Sequence, residues 1–310
     1  MDELTQALDT FGPWDWACVG ANLTAAVLGF FGLRCWRGMP GLSAPLPVSA
    51  SNAALGVVTG VMAFTVVFGL VLAAAAQAFS SHFGIAQAHM FTAAFLGQSA
   101  AALTMIAMGA LVPETLRLAP DVTAEEPGES PLRRAARAFS FSRLLLALLI
   151  LFGIGLAFSA VWKGVHVGWT QLFQHGLAGE PPVDAPQDIV DSVLKTDVDS
   201  WRFVTIIFAV TIGAPIMEEL AFRGMLYPGL RRLFVTGSAR HERWIAAGLT
   251  GVIFSAAHQS PSAALPLFGF GAFMCLVRDR YGLLTCMAAH ACFNGWNLAW
   301  LKLAPAASTL

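Results

Sequence analysis

The chain has 310 residues, 56% hydrophobic and 12% charged, with a mean hydropathy of +0.66. A soluble domain carries about a quarter charged residues, so this composition excludes a water-soluble globule and requires a lipid environment in which backbone groups pair internally. A net charge of −1 gives no hold on nucleic acid, and five Cys without a C-x-x-C pair give neither a disulfide framework nor a zinc-knuckle pattern.

Spanning helices need about 20 mostly apolar residues. The Met-Asp-Glu start lacks the basic region of a signal peptide, so the first apolar segment, 14–33, is expected to be retained as a span. Further spans are predicted over 52–79, 89–112 and 142–165, then from Trp201 onward, and over 243–258, 262–277 and 282–303. The expected class is all-α, a polytopic membrane bundle of about eight helices. Residues 113–141 mix Pro, acidic residues and Arg133, Arg134 and Arg137, and read as a cytoplasmic linker. Residues 166–200, with Pro181, Pro182 and Pro186, read as an exposed loop followed by a short amphipathic helix from Asp188 to Lys195. Arg34 and Arg37, the linker arginines, Arg231, Arg232, Arg240 and Arg243, and Arg278 with Arg280 fall in alternate connections. By the positive-inside rule both termini are outside.

Ionisable residues inside a membrane are costly and mark function or pairing. Here they gather in the second half: Glu218 and Glu219, Arg223, His258 after Phe254, and His290 with Asn294. Glu219 and Arg223 are four apart and can pair on one helix face. Adjacent residues point about 100° apart, which leaves Glu218 to face a different site. His290 and Asn294 share a face by the same spacing, and Phe254 can wall off the His258 imidazole. The depths of Glu218 and His258 agree only if the fifth helix continues toward Tyr227, before Pro228, and the sixth begins near His241.

A carboxylate and an imidazole can share a water and take its proton as it attacks an amide carbonyl. A second His with an Asn amide can donate to the resulting oxyanion. A nucleophile elbow and an H-E-x-x-H pattern are both absent. Zinc on Glu218, His258 and His290 is an alternative, with no cofactor required as the main expectation. Two other readings of the cluster are a structural ion-pair patch and a proton relay in a small transporter; the second is disfavoured because the polar residues crowd into one half of the chain.

These residues resemble three motifs of the CPBP family, which includes the type II CAAX prenyl endopeptidases and the bacteriocin-processing and immunity (Abi) proteins. Glu218 to Arg223 resembles E-E-x-x-x-R, Phe254 to His258 resembles F-x-x-x-H, and His290 to Asn294 resembles H-x-x-x-N. The resemblance covers about residues 185–302, within a core of 142–310; residues 1–141 hold the first helices and the linker, without a motif. It implies an intramembrane glutamic protease in which Glu218 and His258 activate water, His290 and Asn294 form the oxyanion hole, and Glu219 and Arg223 hold the site together. The Ala-rich composition reads as bacterial, so the expected location is a bacterial inner membrane, crossed several times. The protein's partners would be the bilayer and a peptide or protein substrate, lipidated or carrying a C-terminal sorting segment. A non-catalytic immunity or scaffold protein of the same family is the alternative.

Overall fold

The computed structural model describes residues 11–38, 50–83, 90–111, 139–174, 193–198, 200–234, 236–260 and 263–303. Among these residues the chain is helical throughout, with no strand. α1 is Pro13–Gly38. α2 runs through Ala50–Met62, a π turn at Ala63–Val67, and Phe68–Phe83. α3 is Met90–Leu111 and α4 is Phe141–Gln174. α5 is a continuous run, Trp201–Leu233. α6 is Ala239–Ala257, α7 is Ala264–Tyr281 and α8 is Leu283–Leu303.

These runs fall where the apolar segments predict them. α1, α2 and α7 run on by four residues or more, to Gly38, Phe83 and Tyr281, and three other boundaries differ. α4 continues nine residues past Val165, to Gln174, two residues before Gly176; no proline stands in its way before Pro181. α5 does not stop before Pro228 but passes through it to Leu233. A proline breaks a helix by lacking an N–H and by crowding the carbonyl four residues back. Here it follows a wide π turn, which relieves the crowding, and the Arg223 carbonyl that the missing N–H would have served accepts from Arg278 Nε on α7 instead. α6 begins at Ala239, ahead of His241. The amphipathic helix expected from Asp188 lies mostly outside the described residues; Val193–Lys195 is helical.

Among the described residues, four helices are long and apolar enough to cross a membrane: Ala54–Ala78, Met90–Met108, Phe141–Ser159 and Trp201–Leu233. Leu70, Leu103 and Val252 are each more than half exposed, a surface suited to lipid and costly in water. α6 to α8 are less apolar because they carry the charged and polar residues buried against α5. The protein is a multi-pass membrane protein, and a crossing count of eight is a proposal that counts these helices as well.

α5 lies at the centre. α2 and α3 pack along it on one side, and α8 on the other. α1 packs on α4, α4 on α7, and α7 on α6. The main core joins Ala63, Met105, Leu151, Leu220, Phe222, Met225, Phe254, Met274 and Ala289 with their neighbours, so one apolar cluster runs from α2 to α8. α6 and α7 approach closely at facing glycines. A Cβ on Gly271 would stand 2.9 Å from the Gly251 Cα, and one on Gly251 would stand 2.8 Å from the Phe268 carbonyl oxygen. Only hydrogen fits at either position, as is usual where membrane helices touch backbone to backbone.

Candidate active site

α5 carries the acidic pair at the junction of two helix types. Ala214–Glu218 is α-helical, and Glu219–Leu226 is a π turn. π turns are rare and concentrate at functional sites. Glu219 and Arg223 are both 0% exposed. Their spacing of four yields the expected bond, Arg223 Nη1 donating to Glu219 Oε1 at 2.9 Å. Arg223 Nη2 donates to the Gly271 carbonyl at 3.1 Å, a carbonyl reachable because the α6–α7 contact is so tight. The guanidinium also lies over the Phe254 ring, 4.7 Å from its centroid. A cation on an aromatic face in a dry site contributes about 2 kcal/mol, so Arg223 is held by three kinds of contact.

His290 is the focus of the cluster. Its Nδ1 lies 2.8 Å from Glu219 Oε1. A carboxylate in this pair accepts, so Nδ1 carries the proton. On the other side, Nε2 is 3.9 Å from Glu218 Oε2. The expectation that Glu218 faces a site apart from Glu219 is therefore corrected: the two carboxylates address the two nitrogens of one imidazole. The π turn widens the helix at this junction, and the ring spans the gap between the carboxylates. Glu218 Oε2 is buried and makes no hydrogen bond, which leaves an acceptor open beside His290.

Phe254 forms the apolar wall. Its ring centroid is 5.1 Å from Phe222, 5.5 Å from Phe270 and 6.3 Å from His290. It also covers His258 as expected, at 4.6 Å. His258 is the C-cap of α6, half-buried, and its Nδ1 lies 2.8 Å from the Phe254 carbonyl oxygen. A carbonyl only accepts, so Nδ1 is the donor and Nε2 of the neutral ring keeps its lone pair. His258 makes no direct hydrogen bond to Glu218; it is linked to the acidic pair through Phe254. Asn294 shares the face of His290, but its Nδ2 donates to the Val210 carbonyl on α5 at 2.9 Å.

Among the described residues, no group of three or more His, Cys, Asp or Glu is placed to hold a metal ion.

Sequence reasoning missed Phe270, which stands 4.8 Å from the His290 ring; a phenylalanine on an apolar helix gives no signal of its own. It also missed a second polar cluster at the end of α7. Asp279 meets Arg231 Nη1 at 3.2 Å, Arg243 Nε at 3.1 Å and Arg278 Nη1 at 3.7 Å, and accepts from the Tyr227 hydroxyl at 2.7 Å. The signal was a lone Asp between Arg278 and Arg280 in an apolar helix.

Residues 200–296 match the family model described as type II CAAX prenyl endopeptidase Rce1-like. This segment is similar to that family. The Rce1-like domain, from the start of α5 to Trp296 on α8, contains Glu218, Glu219, Arg223, Phe254, His258, His290 and Asn294. It is the domain of a protease family, so the match supports a hydrolase in the membrane. α1 to α4 lie outside it. No curated protein matches the chain, and no solved structure does.

Proposed function

We propose that the chain is an intramembrane endopeptidase that hydrolyses a peptide bond near the C-terminus of a membrane-associated or lipidated protein or peptide. The observation that carries this reading is the His290 ring set between the carboxylates of Glu218 and Glu219, with an acceptor of Glu218 left open. In the proposed reaction Glu218 Oε2 takes a proton from water as the water oxygen attacks the amide carbon. In this reading His258 Nε2, the acceptor of a neutral ring, shares the same water. The tetrahedral oxyanion accepts from His290 Nε2–H and from the remaining N–H of Asn294, and the proton held by Glu218 then passes to the departing amine. For Nε2 to donate, His290 must be an imidazolium. Glu218 and Glu219 then balance Arg223 and His290, two negative charges against two positive. Glu219 and Arg223 hold the ring in place and take no proton.

The setting favours a substrate delivered by the bilayer, because the cluster lies between helices whose outer faces are apolar. The proposed location is a bacterial inner membrane, with residues 142–310 as the catalytic half. No step requires a metal; Glu218, His258 and His290, the alternative zinc set, are not placed together to hold one.

The test uses the purified full chain in detergent with a peptide library, with and without a C-terminal prenyl group. Cleavage is expected for the wild type, with or without chelator, and not for Glu218→Gln. Full cleavage by Glu218→Gln would overturn the mechanism. Cleavage abolished by chelator and restored by zinc would replace the water-activating carboxylate with a metal. An absence of cleavage by the wild type on every peptide would favour the immunity or scaffold reading.

A further inference from the structure

Each of the two π turns in α5 ends at a proline. The N–H of Ala214 bonds the Ala209 carbonyl, five residues back. To continue that pattern the next carbonyl, Val210, needs the N–H of residue 215, which is proline. The same arrangement recurs further along. The N–H of Tyr227 bonds the Phe222 carbonyl, again five back, and the next carbonyl, Arg223, needs the N–H of Pro228. Proline has no N–H to give, and a carbonyl left without a donor inside a membrane protein is costly. Both carbonyls take a side-chain donor from another helix instead. Asn294 Nδ2 of α8 reaches Val210 O at 2.9 Å, and Arg278 Nε of α7 reaches Arg223 O at 3.2 Å.

We infer that Asn294 and Arg278 are positioning residues that supply the hydrogen bonds Pro215 and Pro228 cannot, and so hold open the two wide turns that aim Glu218 and Glu219 at His290. The two turns flank Glu218, and the second begins at Glu219. If either turn tightened to α-helical pitch, the acidic residues would rotate relative to α8. The bracing helices are α7 and α8, and α8 also carries His290, so the register of α5 is set from the side it must face. Pro215 and Pro228 exclude the main-chain alternative, and the two donors stabilise what remains. This concerns the architecture of α5, and its test needs no substrate.

The experiment is a double-mutant cycle on the full chain in lipid nanodiscs, using Asn294→Ala, Pro215→Ala and the two together. Pro215→Ala restores an N–H at residue 215. Two readouts are taken: the Tm, and the ¹⁵N shifts of the His290 imidazole, identified by difference against His290→Gln. Asn294→Ala alone is expected to lower Tm by several degrees and to displace both His290 nitrogens, because Glu219 moves. In the Pro215→Ala background the same change is expected to have little effect on either. Equal effects in both backgrounds would overturn the inference, since Asn294 would then act independently of the Val210 carbonyl. Should Pro215→Ala fail to insert, Asn294→Asp decides, since it keeps the size and loses the donor. Faster hydrogen exchange over residues 206–218 supports the brace, and unchanged protection there overturns it.

Discussion

Arg223 is the residue on which the cluster depends. It is fully buried, bonded to Glu219 and to the Gly271 carbonyl, and stacked on Phe254. Removing one partner of a buried ion pair costs about 3–5 kcal/mol, because the other charge is left in a dry interior. Arg223→Met is therefore expected to lower the thermal stability of the detergent-solubilised protein by that order and to abolish activity with it. Unchanged unfolding would show that Glu219 is neutralised another way. His290→Ala belongs to a different class. It removes the ring that both carboxylates address while leaving the Glu219–Arg223 bond in place. It is expected to lower cleavage by about 10²-fold or more, with a smaller effect on unfolding than Arg223→Met. The i,i+4 partners, Glu219 with Arg223 and Phe254 with His258, were legible in the sequence because a helix turn fixes them locally. That both carboxylates meet His290 was not legible, since its 71-residue separation from Glu219 is bridged only by packing.

At the scale of elements, the contact that positions the site is the one between α6 and α7. Gly251 and Gly271 face each other there, and the Gly271 carbonyl is a ligand of Arg223. Gly271→Ala places a methyl 2.9 Å from the Gly251 Cα and 3.1 Å from the Phe254 Cβ. Backbone cannot yield as a flexible side chain can, so the helices must separate, at a cost of about 1–3 kcal/mol. Cleavage is expected to fall more than stability, because the shift moves the Gly271 carbonyl and Phe254 together. A Tm loss with unchanged activity per folded molecule would show the contact to be structural only. Gly271 lies in the apolar stretch predicted as a span over 262–277. Its partner, Gly251, carries no pattern that distinguishes it from glycines in open space, such as Gly248.

Across the whole molecule, most buried charges among the described residues gather in two clusters. The acidic pair and His290 lie amid the apolar helices, while Arg231, Arg243 and Arg278 gather on Asp279 near the ends of α5, α6 and α7. Asp279→Asn removes the carboxylate that three guanidinium groups share, and a loss of about 3–5 kcal/mol is expected by thermal unfolding. The connection from α5 to α6 carries the same basic excess, and we propose by the positive-inside rule that it faces the cytoplasm. Thr236→Cys, made in a Cys292→Ser background because Cys292 is exposed, should react with a membrane-impermeant maleimide only after cells are opened. Labelling of intact cells would invert the topology.

Hydropathy along the chain determined the membrane class and the positions of the long helices, because lipid accepts few other backbone conformations. Local spacing determined which polar residues share a helix face. The tertiary structure decided how α5 is wound and therefore where Glu218 points. A stretch that could stop or kink at Pro215 and Pro228 instead runs through both, because Asn294 and Arg278, distant in sequence, satisfy the carbonyls the prolines leave open. Helical winding is local when every carbonyl finds its donor four residues on. Where proline removes that donor, the winding depends on another helix, and no local reading of α5 contains it.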